Sequence, residues 1–323
     1  AVKRAFYRAA MGIGLPHRPW GMLTGVRPGK LMTPLLAQGM GDVQAARYFE
    51  RHYDVAPARA ALVVRTAHAT LRAMDSLGEK DVCLYVGIPF CPTRCAYCSF
   101  VSQSVEKSMA LVPEFLQALA REIAATAEAV RRAGLRVVSL YIGGGTPTTL
   151  SARQLDALCT QLAAAFDLSA LREFTVEAGR PDTITADKLQ VLRAHRVDRI
   201  SVNPQTLDDR VLDTIGRRHT AQDIYDALRL VRETGGFAVN MDLIAGLPGD
   251  TPDGFRTTLE QVLALAPENV TVHTLSRKRG SNLMAQDAPI PDGAAVGEML
   301  DFAGTVLPKA GYAPYYLYRQ KFM

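Results

Sequence analysis

The sequence predicts an α/β fold, a partial (β/α)6 TIM-like barrel preceded by a small helical N-terminal segment, and three observations carry that reading. From residue 82 onward, short apolar, β-branched runs alternate with helical patterns six times over. The runs are nearly continuous in apolar residues, as expected of strands in a parallel sheet covered on both faces. Every run delivers a glycine or a polar group at its carboxyl end. That is the layout of a barrel active site, and it favours a barrel over an open doubly wound sheet.

In chain order, residues 1–80 form a helical preface. Its turn-rich stretch from Trp20 to Gly29 is followed by three amphipathic segments, marked by Leu31, Leu35 and Leu36, then Val43, Ala46 and Phe49, then Leu62, Val63, Ala67 and Leu71. Arg27 and Lys30 can meet an anionic ligand, but the favoured reading of this stretch is a structured turn covering one end of the barrel. Strands are predicted over 82–86, 137–142, 174–177, 199–202, 238–244 and 270–275. Helices are predicted over 113–132, 152–166, 186–194, 221–233 and 252–265. Residues 81–280 then make the barrel, and 281–323 a C-terminal extension read as truncated.

Composition narrows the class. The 323 residues are 48% apolar and 21% charged, ordinary for a water-exposed globular chain. The net charge of +5 is spread along the sequence without a polybasic run, which argues against nucleic acid as a partner. No apolar run approaches the length of a membrane span and no signal peptide is visible, so no membrane partner and a cytoplasmic location are expected. Five cysteines, three of them clustered, suit metal binding in a reducing compartment better than disulfides.

The cluster is Tyr85-Val-Gly-Ile-Pro-Phe-Cys91-Pro-Thr-Arg-Cys95-Ala-Tyr-Cys98-Ser-Phe100, directly after the first strand. Four thiolates normally hold a four-iron cluster, and three leave one iron with an open position. A structural zinc site completed by a distant His is the competing reading, but no second Cys-x2-Cys knuckle exists; free buried thiols are the other. Cys83 and Cys159 are read as small buried hydrophobes.

The remaining strand ends supply Gly143-Gly144-Gly145-Thr146-Pro147-Thr148, whose glycines allow close backbone approach to a ligand. They also supply Glu177, Asn203-Pro-Gln205, Asp242, and His273-Thr-Leu-Ser276.

The Cys-x3-Cys-x2-Cys spacing, with aromatic Tyr97 before the last cysteine, resembles the signature of the radical S-adenosylmethionine (SAM) superfamily. Residues 82–276, with the Gly-Gly-Gly-Thr-Pro-Thr run, Glu177, Gln205, Arg217 and Asp242-Leu-Ile-Ala-Gly-Leu-Pro248, resemble the oxygen-independent coproporphyrinogen III dehydrogenases (oxidases). Three further stretches are similar to a HemZ-like branch: Trp20-Gly-Met-Leu-Thr-Gly-Val-Arg-Pro28, Thr175-Val-Glu-Ala-Gly-Arg-Pro-Asp182 and Tyr315-Tyr-Leu-Tyr-Arg319-Gln-Lys. The chain departs from founding members at Gly87, where they carry His, and at Phe100, where they carry a further Cys.

The resemblance implies a barrel of the radical SAM type with a 4Fe–4S cluster on Cys91, Cys95 and Cys98. It implies S-adenosylmethionine contacted by Tyr85, Gly144 and Glu177, with Tyr97, Gly145, Thr146, Gln205, Arg217, Asp242 and Ser276 lining a second S-adenosylmethionine or the substrate side. No side chain beyond the cluster ligands is assigned a catalytic role. The implied reaction of anaerobic haem biosynthesis uses a 5′-deoxyadenosyl radical to convert two propionates of coproporphyrinogen III to vinyls, giving protoporphyrinogen IX. Its electrons come from a one-electron reductant such as flavodoxin or ferredoxin. Arg180, Arg217 and Arg277-Lys278-Arg279 are candidates for meeting substrate carboxylates, with a solvated loop the other reading of the last three. The neighbouring Arg217 and Arg218 leave open which of them enters the site. Methylation or ring cleavage of another tetrapyrrole, or haem carriage without turnover, are the alternatives on the same fold.

Overall fold

The computed structural model describes residues 2–15, 17–25, 27–100, 102–276, 281, 283 and 289–319. The chain divides into two compact units, one made of residues 1–78 and 311–323 and the other of residues 79–310.

The first unit is helical: α1 (Val2–Gly12), α2 (Gly29–Ala37), α3 (Asp42–Tyr53) and α4 (Pro57–Asp75). Pro57 opens α4, where its missing N–H is no loss. Met32 and Leu36 of α2, Ala45 and Phe49 of α3, and Ala60, Val63, Val64 and Ala67 of α4 form the core. The inward stripes are therefore set by the i, i+4 pairs 32/36 and 45/49, while Leu31 and Val43, expected on those stripes, face solvent. Trp20 packs against this core, and Arg319 lies 5.8 Å from its ring centroid while donating to the Leu23 carbonyl. So residues 281–323, treated above as one extension, divide: the last described stretch belongs to the helical unit.

The second unit begins with β1 (Asp81–Ile88), a short pair β2 (Phe90–Cys91) and β3 (Gln103–Ser104), and helices α5 (Val105–Ser108) and α6 (Val112–Arg132). It continues through β4 (Arg136–Gly144), α7 (Ala152–Ala165), β5 (Glu173–Glu177), α8 (Ala186–Ala194), β6 (Arg199–Ser201), α9 (Asp209–Thr214) and α10 (Ala221–Thr234). It closes with β7 (Ala238–Ala245), α11 (Pro252–Ala264), β8 (Asn269–Thr274) and α12 (Gly293–Lys309). Helix starts obey local chemistry: Ser151 with Gln154, and Thr220 with Asp223, form reciprocal capping boxes at α7 and α10.

The six long strands are parallel and lie in the order β1-β4-β5-β6-β7-β8. With an order that never reverses, crossovers of the usual single hand put the helices on one face and curve the other inward. Among the described residues β1 and β8 are the two ends of the sheet, so the barrel is partial. The expected (β/α)6 architecture is present.

One expectation changes. The strands are not apolar on both faces. Ile88, Leu140, Ile142, Val176, Ile200, Val239, Met241 and Leu243 are wholly buried under Leu155, Leu162, Leu189, Leu192 and Phe255 of the helices. The alternate positions carry Tyr85, Tyr141, Thr175, Glu177, Asn240, Asp242, Thr271 and His273, which the pleat places on the inner face. Barrel interiors are usually filled by branched aliphatics. Here the inner face is hydrogen-bonding and, at Tyr85 (63% exposed), open to water.

Cys83, expected to be buried, is exposed on β1 because it shares the face of Tyr85; Cys159 of α7 is buried as expected. No helix among the described residues is long and apolar enough to cross a membrane.

Phe255 is 1% exposed at the centre of the helix-side core. Phe255→Ala is expected to lower unfolding stability by about 4 kcal/mol, read as an earlier urea midpoint with an unchanged slope.

Candidate functional site

Cys91 ends β2, and Cys95 and Cys98 lie in the turn that follows, closed by the Cys98 N–H to the Cys95 carbonyl at 3.0 Å. The Ala96 N–H donates to the Ile215 carbonyl at 3.0 Å, fixing the loop to the end of α9. From the other side come the last two residues of β4, Gly143 and Gly144, and the turn through Gly145 and Thr146 that follows them. The Gly145 N–H bonds the Ile88 carbonyl and the Thr146 N–H the Phe90 carbonyl, both at 2.7 Å. A Cβ on Gly145 would stand 2.6 Å from the Phe90 carbonyl oxygen and 3.0 Å from the Cys91 sulfur, so only glycine permits this approach. Gly144 has φ +108°, a conformation that side chains avoid.

The Thr146 hydroxyl reaches Cys91 Sγ at 3.6 Å. Burial pushes the Cys91 thiol up, the Thr146 hydroxyl works against that, and Cys98 and Cys95 add to the rise. Among the described residues no three Cys, His, Asp or Glu side chains are already gathered as a metal site. The donor set is what fits: three thiols on one loop against a glycine cradle, the ligand chemistry of an iron–sulfur cluster.

Two buried arginines stand behind that loop. Arg217, 5% exposed, donates to the Tyr97 hydroxyl at 3.0 Å, to the Gly179 carbonyl at 2.7 Å and to the Asn203 carbonyl at 2.9 Å. Arg218 is exposed and pairs with Glu106 at 2.6 Å, so Arg217 is the one that turns inward. Arg180, 4% exposed, grips Asp182 through Nε and Nη2 at 3.1 and 3.2 Å and directs Nη1 to the Thr93 hydroxyl and the Cys95 sulfur. Both guanidiniums, expected to meet substrate carboxylates, are engaged by protein groups here. Arg277, Lys278 and Arg279 lie outside the described residues.

On the inner face, Tyr141 donates to Glu177 Oε1 at 2.6 Å, and its ring stacks on Tyr85 with centroids 5.7 Å apart. Burial pushes the Glu177 carboxyl up while the Tyr141 hydroxyl holds it down; the net effect is a rise. Asp242 accepts from Asn240 at 2.8 Å and lies 3.7 Å from His273. Burial opposes its ionisation, but His273 and Asn240 outweigh it and keep the carboxyl below its ordinary range. Gln205 is left-handed at φ +65°, locked by its N–H to the Asp242 carbonyl and by the Ile244 N–H to its own carbonyl. Its Oε1 is buried without a partner. A strained residue with an unpaired amide oxygen is a hallmark of a ligand site. Ser276 follows β8 at this same edge.

Sequence reading missed Tyr141, Thr93 and His219. The pleat was the available signal for Tyr141, two residues before Gly143 on the same face as Glu177's neighbour Tyr85. His219 had no local signal: it is 6% exposed, both ring nitrogens lack a partner, and burial followed by the charges of Arg217 and Arg180 pushes its pKa down to about 3.

With this geometry in place, comparison with known proteins is direct. The Radical SAM superfamily description matches residues 85–262. The chain is 40% identical over 307 residues to the oxygen-independent coproporphyrinogen-III oxidase-like protein HemZ of Bacillus subtilis, covering 94% of this chain and 61% of that one. It is 32% identical over 241 residues to the heme chaperone HemW of Lactococcus lactis, covering 73% and 61%. The solved structure of coproporphyrinogen III oxidase (HemN) from Escherichia coli, described as a radical SAM enzyme, superposes with a TM-score of 0.65 at 30% identity, covering 76% of this chain and 56% of that one. The chain thus spans about three fifths of the length of these relatives.

Gly145→Ala is expected to abolish assembly of an iron–sulfur chromophore on the chain, measured as iron and sulfide per polypeptide after anaerobic reconstitution, with the circular dichroism of the barrel retained. His219 predicts a pH effect. Its folded pKa lies below the unfolded 6.5, so the unfolded chain binds the extra proton and stability is lost as pH falls from 6.5 toward 3. His219→Leu should flatten that limb by several kcal/mol, on the order set by the shift, in denaturant titrations run across this range.

Proposed function

The chain belongs to the radical SAM superfamily, and from that premise we propose that it decarboxylates propionate side chains of a tetrapyrrole, with coproporphyrinogen III as substrate and protoporphyrinogen IX as product. In each round a propionate would give a hydrogen atom to the 5′-deoxyadenosyl radical, lose carbon dioxide and pass one electron to an external one-electron acceptor, leaving a vinyl group. The observation that carries the reading is the cysteine loop pinned against the Gly143 to Thr146 turn, at the carboxyl rim of a barrel whose inner face is polar. The likeness to HemZ and HemN supports the substrate class.

Cys91, Cys95 and Cys98 would hold a 4Fe–4S cluster, and S-adenosylmethionine would take the open iron. Together, once a carrier such as flavodoxin or ferredoxin provides an electron, they supply hydrogen-abstracting chemistry. The protein's residues bind and orient. The Gly144 backbone and the Glu177 carboxyl would meet the amino and hydroxyl groups of S-adenosylmethionine, with Tyr85 of β1 beside them. Tyr141 donates to Glu177 Oε1 and so aims the carboxyl. Gln205 Oε1, buried and unpaired, accepts an N–H from a bound ligand. Asp242, held ionised by His273 and Asn240, offers a carboxylate to a second S-adenosylmethionine or to the substrate's N–H groups. Thr146 and Tyr97 anchor the loop through Cys91 and Arg217, and Gly145 and Ser276 complete the rim.

The likeness to HemW favours one second reading, a haem carrier on the same barrel. Anaerobic reconstitution with iron and sulfide, reduction with dithionite and addition of S-adenosylmethionine, with and without coproporphyrinogen III, separates the two. The expected outcome is substrate-dependent 5′-deoxyadenosine together with protoporphyrinogen, and loss of both in Cys95→Ser. Cleavage without a porphyrin product would discard the substrate. Stoichiometric haem binding with no cleavage from an intact cluster would establish the carrier.

A further inference from the structure

We propose that Arg180, acting through Cys95 and balanced by Asp182, sets the reduction potential of the cluster; this rests on the reading that Cys91, Cys95 and Cys98 hold one. The guanidinium is 4% exposed and lies with its Nη1 3.0 Å from the Thr93 hydroxyl and 3.9 Å from the Cys95 sulfur. Thr93 itself sits between two of the ligand cysteines. Nε and Nη2 are occupied by the two oxygens of Asp182, at 3.1 and 3.2 Å, which fixes the plane of the fork and aims Nη1 at the sulfur. The backbone beneath is equally fixed, since the Arg180 carbonyl accepts from the Thr183 N–H at 3.1 Å and from the Thr183 hydroxyl at 2.7 Å.

Arg180 is a positioning residue here, because it would act on the cluster through a ligand sulfur. A one-electron carrier, or dithionite in vitro, gives one electron to the cluster and is itself oxidised by one. The cluster gains one negative charge. An N–H donor to a ligand sulfur and a buried cation both stabilise that more electron-rich state, and hydrogen bonds to the sulfurs are a known lever on such potentials. Water cannot replace the donor because the fork is buried. Asp182 opposes the cation only in part: its side chain is 35% exposed, so solvent screens it while Arg180 stays unscreened. Two neighbours also reach Cys95, the Arg217 charge and the Tyr97 hydroxyl, but neither is paired with Asp182, so the opposite shifts expected at Arg180 and Asp182 are specific to that pair. His219 is neutral above about pH 3.

The pair makes a test with opposite signs. In the reconstituted full chain, without S-adenosylmethionine, the cluster is titrated with dithionite and followed by electron paramagnetic resonance. Arg180→Gln is expected to move the midpoint to more negative potential, enough to lower the reduced-to-oxidised ratio at a fixed potential about tenfold, 59 mV for one electron. Asp182→Asn, which frees the cation from its counter-charge, is expected to move it the other way. A purely structural role would change the melting temperature without shifts of opposite sign. Coincident titrations, or two shifts in one direction, overturn the inference while the cluster reading stands. Should Arg180→Gln hold no cluster, the Asp182→Asn titration decides alone, a positive shift supporting the inference and none overturning it. A wild-type chain that assembles no iron–sulfur cluster removes the underlying reading and the inference with it.

Discussion

The buried guanidinium of Arg217 is the interaction on which the site depends. A cation taken out of water is costly unless its donors find partners, and the two terminal nitrogens of this one find them on three separate loops, at Tyr97 beside the cysteines, Gly179 after β5 and Asn203 after β6, while Nε is left without one. Those loops cannot drift apart without stranding the charge, and stranding a buried ion costs about 3–5 kcal/mol. The cysteine loop has little secondary structure of its own. Its order is borrowed from this clasp and from the carbonyls of Ile88 and Phe90, which hold the glycine turn against it.

The polar inner face follows the same logic. A barrel interior that were packed with aliphatics would need nothing further, whereas one lined by Tyr141, Glu177, Asn240, Asp242 and Thr271 must pair its groups with each other or with a ligand. Much of the pairing is internal, through Tyr141 with Glu177, Asn240 with Asp242, and Thr271 with Asn240 at 3.0 Å. The Ser201 hydroxyl and the Gln205 amide oxygen are left unpaired, and Gln205 has a left-handed backbone. Strain and an orphaned acceptor thus coincide at one residue.

The chemistry at the cysteines and the chemistry of the inner face are thereby separated by element. Loops at the strand ends carry thiols, glycines and buried cations, while the strands carry carboxylates, amides and hydroxyls. This division matches a cofactor at the rim and N–H-rich or cationic groups in the interior. It also leaves the terminal nitrogens of the two arginines nearest the cysteines bonded to protein groups.

Reading the chain alone located the six strands closely, as with 238–244 against the observed Ala238–Ala245, because apolar periodicity and turn chemistry are properties of neighbouring residues. The thiol motif was legible for the same reason, all three cysteines lying within eight positions. What it misjudged or missed depends on contacts made across the fold. Leu31 and Val43 were placed on the wrong side of their helices and Cys83 in the core, since which face is covered is decided by partners far along the chain. Arg217 meets Tyr97 from 120 positions away, Arg180 reaches Cys95 from 85, and His219 is isolated by walls that no local pattern announces. Periodicity and spacing are written in the sequence; the pairing of buried polar groups exists only once the chain has closed around them.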